Sequence, residues 1–451
     1  MRCVTHPRQT FIHRVRLLLW FVALGYSAPG QTMGLMEAWQ RAVGHDPTFQ
    51  AAIHERNANE EERNIGRAAL LPKISYDYSN SRNDSTVTSS GRETERDYGS
   101  YASSLSLQQP LLDYEAWTRY QQGDATALLA DEQLRDASQQ LLVRLFQAYS
   151  NVLFSREQIT LVQAQLRAYQ EQYQLNQRLF QHGEGTRTDM LETEARLNLT
   201  QAQLIEAQDN LDISLRELET LVGIPIAAEQ LAPLDPRFTP RQLQPNNYQH
   251  WQTVSLSHNA QLLALSQSLA VAKYEISRNR AGHFPQVTLV ASMRKTESDT
   301  ESSYNQKYDT RSIGIRVSVP IFAGGGVSAA TRQAKERYAQ TYQQKDEQTA
   351  AIQNELRRQF NLVTSSQAKI RAYELAERSA LALVEATRKS VQGGERVNLD
   401  VLNAEQQLYS ARRDLSEARY AWLTAWLQLR YYAGTLDDAV LRQLAGYFHH
   451  A

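Results

Sequence analysis

Few residues of this chain are spaced for catalysis. His182 and His283 fall at loops with no second ligand at metal-binding spacing, and His449-His450 is a two-residue tail too short for a site. No HExxH pattern occurs. Gly324-Gly325-Gly326 stands between a strand-like and a helical segment, as a phosphate loop does, but Val327-Ser328-Ala329 follows where such a loop needs Lys-Ser/Thr. These glycines read instead as a sharp turn requiring positive φ. The pattern implies no enzyme, no metal and no cofactor. The chemistry that remains is electrostatic. Asp189 follows the break Gly183-Glu184-Gly185, and Asp400 follows Gly393-Gly394-Glu395. A carboxylate just inside a helix start is favoured by the positive end of the helix dipole.

Those two breaks are copies of each other. Gly183-Glu184 and Asp189-Met190-Leu191 recur 211 residues later as Gly394-Glu395 and Asp400-Val401-Leu402, and Gly223 recurs as Gly434. Arg67 through Leu71-Pro72 recurs as Arg280 through Phe284-Pro285, and Gln109-Pro110 as Val319-Pro320. The small drift in offset places the length differences in loops. The unit is far longer than a solenoid repeat of 20–50 residues, so the chain is two copies of one structural unit related by a pseudo-twofold.

The elements that carry the breaks are long helices. No Gly or Pro occurs from Asp124 through His182 or from Val327 through Gln392. A helix of about 60 residues spans roughly 90 Å. Heptads run along both: Leu145, Val152, Ile159, Leu166, Tyr173 and Phe180 in the first, Leu356, Val363, Ile370, Val384 and Val391 in the second, broken at Glu377. The return helices carry Met190, Leu197, Leu204, Leu211 and Leu218, then Val401, Leu408, Leu415, Trp422 and Leu429. Sustained heptads predict coiled-coil packing along each hairpin.

Ahead of each helical hairpin the period changes to two. Ile74, Tyr76 and Tyr78 alternate with Ser75, Asp77 and Ser79, and Tyr101, Leu105 and Leu107 with small or polar residues. Val287, Leu289, Ala291 and Met293 form one face, and Ile313, Ile315, Val317 and Val319 another. Polar loops are expected near residues 81–97 and 295–310. Tyr76, Tyr78, Tyr98, Tyr101, Tyr304 and Tyr308 cluster at strand and loop edges, as interfacial aromatics do. Strands of this kind fit a transmembrane barrel with its apolar face to lipid, or a half-buried soluble sheet; export, the small number of strands and the placement of the tyrosines favour the barrel. Four strands cannot close a barrel, so several chains must contribute to one.

Bulk properties agree. A formal net charge of −1 gives no reason to expect nucleic acid. After residue 30 no apolar run reaches the length of a membrane helix. Arg2, Arg8, Arg14 and Arg16 precede the apolar run Leu17 to Leu24, and Gly25, Ser27, Ala28 and Gly30 follow. Residues 1–30 read as a secretory signal peptide cleaved after Ser27 or Gly30. The one cysteine, Cys3, lies within it, so the exported chain is expected to lack a disulfide and a lipidated cysteine. The expected layout is a first repeat over 31–223 (helix, β-hairpin about 73–110, helical hairpin about 112–222), a linker over 224–247 and a second repeat over 248–434. The second repeat has its β-hairpin at about 285–321 and its helical hairpin at about 327–433, and a tail covers 435–451.

Six motifs at matching spacing carry a resemblance. Leu71-Pro72-Lys73-Ile74 and Phe284-Pro285-Gln286-Val287 enter strands; Pro110-Leu111-Leu112 and Pro320-Ile321-Phe322-Ala323-Gly324-Gly325 leave them; Gly183 through Asp189 and Gly394 through Leu402 sit at hairpin tips. From about Gly34 to Gly434 the chain resembles the TolC family of outer-membrane channels. The wording from Gly183 to Glu194 is most similar to its type I secretion branch, which exports proteases and lipases. The resemblance implies a mainly α protein with a β-barrel part: a homotrimer with a 12-stranded barrel in the outer membrane of a Gram-negative bacterium, continued into the periplasm by a 12-helix tunnel. It implies a periplasmic adaptor, an inner-membrane ABC transporter and an exported protein as partners, with the adaptor meeting Gly183, Glu184, Gly185, Gly393, Gly394 and Glu395. It further implies that Arg396 links to Thr188 and Asp189 of a neighbouring hairpin to close the tunnel. A second link in the family uses a tyrosine where this chain has Val391. Two acidic rings line the family constriction; Asp400 matches the first and Asn403 falls where the second would be, so the passage should be less negative. Discrimination among solutes would then rest on pore width and lining charge. A drug-efflux outlet of the same architecture is the alternative function, and a non-channel coiled-coil adaptor would explain the helices but not the strands.

Overall fold

A computed structural model describes residues 33–300 and 303–448, with the side chains of 298–305 left out of the description. The signal-peptide region and His449-His450 lie outside the described residues. The first copy runs α1 (Leu35–His45), α2 (Pro47–Ala68), β1 (Lys73–Ser89), β2 (Arg92–Leu112), α3 (Tyr114–Gln181) and α4 (Arg187–Val222). The second runs α5 (Tyr248–His258), α6 (Ala260–Ala281), β3 (Gln286–Thr300), β4 (Ser303–Ser318), α7 (Gly326–Gln392) and α8 (Asn398–Ala433), and α9 (Asp438–Ala445) follows. The copies match element for element: α1 and α5 have 11 residues each, α2 and α6 have 22, α4 and α8 have 36, and α3 and α7 have 68 and 67.

The four strands form one antiparallel sheet in the order β1-β2-β3-β4. They are longer than the sequence pattern implied. Ser81 to Asp97, expected as a loop, continues both strands up to the turn at Ser90 and Gly91, and Lys295 to Thr300 continues β3. Serine and threonine serve a pleated ladder as well as a loop, and with charged residues they suit strands standing in water.

The helices of each hairpin pack along a row that the heptads only partly located. In α8 the stripe Val401, Leu408, Leu415, Trp422 and Leu429 is buried, as are Leu356, Val363, Ile370 and Val384 in α7. At the stripe's break, Glu377 accepts from Arg412 Nε of α8 at 3.1 Å. The first hairpin departs from expectation. Leu145 and Val152 are buried, but Ile159, Leu166 and Tyr173 are only half-buried and Phe180 is exposed. The buried heptad there is Ser155, Val162, Tyr169 and Asn176, facing Ser214, Ala207, Thr200 and Thr193 of α4. The matching row of α8 is Ala404, Ala411, Ala418 and Ala425. Small side chains on one helix let the two backbones approach, which a Leu-only rule overlooks. The expected apolar row is only partly covered within the single chain.

The core sits where linker and tail cross the hairpins. Leu231, Leu234 and Phe238 from the expected linker and Leu441, Leu444 and Phe448 from the expected tail are buried among Leu145, Phe146, Tyr149, Trp422 and Trp426. Leu234 bridges Phe448, and Met33 bridges Leu231. The Tyr149 hydroxyl lies 3.1 Å from the carbonyl oxygens of both Met33 and Ala232; burial pushes its pKa up, so it stays a donor. Buried Asp46 caps α2 through Phe49 N at 2.7 Å and accepts from Arg144 Nη2 at 3.0 Å. These connecting segments therefore form a collar around the middle of the hairpins.

Near the sheet, α2 lies on α3 with backbone touching backbone. A Cβ at Gly123 would sit 2.2 Å from the Glu62 carbonyl oxygen, and one at Gly66 would sit 2.9 Å from that of Arg119. This accounts for a glycine inside a helix, where it costs about 0.5–1 kcal/mol relative to alanine. We predict that Gly123→Leu forces α2 off α3 and destabilises the protein by about 1–3 kcal/mol. Gly44→Ala, which meets open space in α1, should be neutral or slightly stabilising. Thermal unfolding followed by circular dichroism in detergent checks the pair; an unchanged melting temperature for Gly123→Leu would contradict the close approach.

Candidate functional site

Two regions carry functional geometry: the sheet and the hairpin tips. Register sorts the sheet into two faces. The row Ile74, Leu107, Ala291 and Ile313 crosses all four strands, and one residue along on the opposite face runs Ser75, Ser106, Ser292 and Ser312. The serines pair across the strands, Ser75 with Ser106 at 2.7 Å and Ser292 with Ser312 at 2.8 Å. The apolar face is bare: Ile313 is 77% exposed, and Ile74, Tyr76, Ile315 and Val317 are exposed with it. Water disfavours such a surface, whereas a bilayer core favours it. The face turns polar farther up, where Arg82 pairs with Asp97. The strands run 15–21 residues, against about 9–11 needed to cross a membrane, so their upper parts stand beyond it. No helix among the described residues is long and apolar enough to cross a membrane.

At the first tip, Gly183 has φ 77°, and Thr186 caps α4. The Thr186 hydroxyl donates to Asp189 Oδ2 at 2.6 Å and accepts from the Asp189 N–H at 3.1 Å. Asp189 thus serves as a helix-start carboxylate. Thr188 beside it is exposed, as are Gly183 and Glu184, while Gly185 is half-buried. At the second tip, Gly394 has φ 76°, and Asp400 Oδ2 accepts from Val397 N at 3.4 Å. Gly393, Glu395 and Arg396 are exposed. Within one chain, and among the described residues, Arg396 forms no hydrogen bond or ion pair, and so none to Thr188 or Asp189. Asn403 is exposed and accepts from Arg196 Nη2 of α4 at 3.4 Å, a cation that no motif singled out.

What sequence reasoning missed is a buried polar knot just behind the tips. Asn176 of α3, Thr193 of α4 and Asn398 of α8 are 4%, 0% and 6% exposed. Asn176 Nδ2 donates to Thr193 Oγ1 at 2.8 Å and Asn398 Oδ1 at 3.0 Å, and Gln172 Nε2 donates to Asn398 Oδ1 at 2.8 Å. Three residues from different helices meet there, and the heptad taken along Tyr173 and Phe180 passed Asn176 by. About two turns back along α3, the Tyr169 hydroxyl donates to the Leu402 carbonyl at 3.4 Å, and burial raises its pKa.

A half-open sheet with a lipid-compatible face, set on two duplicated helical hairpins about 100 Å long, defines a channel-forming protein of the bacterial outer membrane. The family model described as "Outer membrane efflux protein" matches residues 38–224 and 252–435, one segment for each copy, and the chain belongs to that family, which includes TolC. It is 51% identical over 420 residues to the alkaline protease secretion protein AprF of Pseudomonas aeruginosa, covering 92% of this chain and 87% of that one. It is 47% identical over 445 residues to the proteases secretion protein PrtF of Dickeya chrysanthemi, covering 98% and 96%. Among solved structures, CusC superposes with a TM-score of 0.79 at 18% identity, covering 89% of this chain and 92% of that one. That likeness speaks for the fold alone. The protein is therefore located in the outer membrane, with the sheet in the bilayer and the helices reaching into the periplasm.

We predict that Ile315→Arg, which puts a charge on the bare apolar face, costs about 2–4 kcal/mol of membrane stability if it lies at mid-depth. Ser312→Arg on the serine face should insert normally. Urea extraction of outer-membrane fractions checks this; equal retention of the two variants would argue against a lipid-facing surface.

Proposed function

We infer that this protein is the outer-membrane exit of a type I secretion system: a passive conduit for an exported protein such as a protease. The single observation that carries the channel is the open sheet. Among the described residues β1 and β4 each have an unpaired edge, and a lipid-exposed strand edge leaves backbone groups with no partner. Closure by copies of the same chain satisfies them. Three copies of a four-stranded sheet make a 12-stranded barrel, and their hairpins make a surrounding tunnel. The secretion reading is supported by identities of 51% and 47% to two protease secretion proteins, against 23% to the probable efflux pump protein TtgC of Pseudomonas putida. A conduit performs no bond chemistry, so the protein is not an enzyme. The exposed tips, Gly183 to Gly185 and Gly393 to Glu395, are the surface for a periplasmic adaptor, through which an inner-membrane ABC transporter delivers cargo. Deleting the gene should abolish secreted protease activity in the culture medium and leave drug susceptibility unchanged; the reverse pattern would favour an efflux outlet.

In this reading the exposed Arg396 reaches Thr188 and Asp189 of the neighbouring protomer and holds the periplasmic end closed. One exposed pair is worth about 0–1 kcal/mol, and threefold repetition adds three such biases. Arg396→Ser should raise single-channel conductance in planar bilayers; conductance at the wild-type level would remove Arg396 from the latch.

Asp400 then contributes a threefold carboxylate ring at the constriction, with Asn403 in place of a second acid and Arg196 donating to it. A ring of carboxylates favours cations. Asp400→Ala should lower cation preference and weaken block by multivalent cations without disturbing assembly, because its cap on Val397 is long at 3.4 Å. Reversal potentials that match wild type would leave Asp400 with the helix-start role alone.

A further inference from the structure

The buried knot ties the two hairpins together at the base of the tips. Gln172 and Asn176 stand on α3 and Thr193 on α4, both in the first hairpin; Asn398 is the first residue of α8, in the second. Four hydrogen bonds cross between the hairpins through Asn398. It accepts from Gln172 at 2.8 Å and Asn176 at 3.0 Å, and donates to Thr193 Oγ1 at 3.1 Å and the Asp189 carbonyl at 3.3 Å. The Asp189 carbonyl also accepts from Asn176 at 3.2 Å and Thr193 at 2.8 Å. None of the side-chain polar atoms of Asn176, Thr193 or Asn398 is buried without a partner. A fully satisfied buried network holds one register; a partly broken one is costly.

The duplication does not repeat this arrangement. Offsetting by 211 puts Thr387 and Ala404 where the first copy has Asn176 and Thr193, and Arg187 is the counterpart of Asn398. The knot therefore does not follow from hairpin packing as such. It joins the first hairpin to the start of α8 at the base of the tips.

We propose that Gln172, Asn176, Thr193 and Asn398 are the joint of the periplasmic gate: they hold the start of α8 against the first hairpin and fix the backbone of Asp189. This inference rests on the gated-channel reading above. The tip of the second hairpin cannot swing away from the first without breaking all four bonds at Asn398. The same bonds clamp the carbonyl of Asp189 while its side chain caps Thr186, so Asp189 is held from both ends in the place where a neighbour's Arg396 meets it. These are positioning residues: they line no passage and touch no solute.

Purified protein in planar bilayers tests the joint. Asn398→Ala should raise mean conductance severalfold, whereas Thr387→Val at the offset position of α7 should leave it unchanged. Asn176→Cys with Asn398→Cys gives a reversible version, since the only native cysteine, Cys3, precedes the described residues. Oxidised with diamide, the pair should conduct at or below the wild-type level, and dithiothreitol should raise conductance severalfold in the same preparation. A pair that fails to oxidise would place these side chains apart and overturn the joint. So would equal conductance in the oxidised and reduced forms, or wild-type conductance in Asn398→Ala alongside a raised Arg396→Ser. Wild-type protein that forms no pore at all would instead overturn the channel reading on which the joint rests. Because the cysteine pair is compared with itself, it decides the matter even if Asn398→Ala fails to assemble.

Discussion

Within a bilayer every backbone N–H and C=O must find its partner inside the protein, and the outer edges of β1 and β4 have none among the described residues of one chain. Most of the architecture answers to that constraint. The sheet is amphipathic with lipid on one side, so it cannot fold over on itself to bury its apolar row. Its edges require further copies, and copies arranged around an axis place their serine rows toward a common centre. A closed ring of strands leaves a lumen, and a lumen above the periplasm is useful only if something continues it. The two hairpins of 68 plus 36 and 67 plus 36 residues are the continuation.

How the hairpins reach that length without a thick core is a matter of side-chain size. Ala404, Ala411, Ala418 and Ala425 repeat every seven residues and are all buried. A row of methyl groups lets the facing helix approach so that each turn contributes dispersion contacts at low side-chain entropy cost. Charge pairs along the flanks, such as Arg388 with Glu405 at 2.5 Å and Arg412 with Glu377 at 3.1 Å, add register rather than much energy, because they are partly exposed. The collar formed by residues 231–238 and 441–448 provides the dense apolar packing that the hairpins lack, and it binds the two copies at mid-length.

Symmetry and its breaking divide the labour. Near the collar the copies match element for element, as a rigid support demands. Toward the tips they diverge: small and polar residues replace alanines in the first seam, Asn403 meets Arg196, and Asn398 enters a buried network without a counterpart. A buried amide cluster gives less energy than an apolar core of equal volume, but it tolerates a single geometry. That property suits the gate joint proposed for this region.

The sequence by itself determined the duplication, the long helices, the four alternating strands and the need for more than one chain. Each of these depends on periodicity within one segment, and periodicity is written locally. The stripes of α7 and α8 were legible for that reason, including the break at Glu377, whose partner Arg412 only the structure supplied. The stripe of α3 was misplaced below Val152 because its true row contains Ser155 and Asn176, which read as solvent-facing until their partners on α4 are known. Residues 81–97 passed for a loop because serine and threonine are as common in turns as in a water-exposed ladder, and residues 224–247 passed for a linker because their apolar residues show no period. Only the tertiary structure decided which polar residues are buried. Asn176, Thr193 and Asn398 stand far apart in the chain, and an amide becomes a joint rather than a solvated side chain only when helices from both copies remove water from it together.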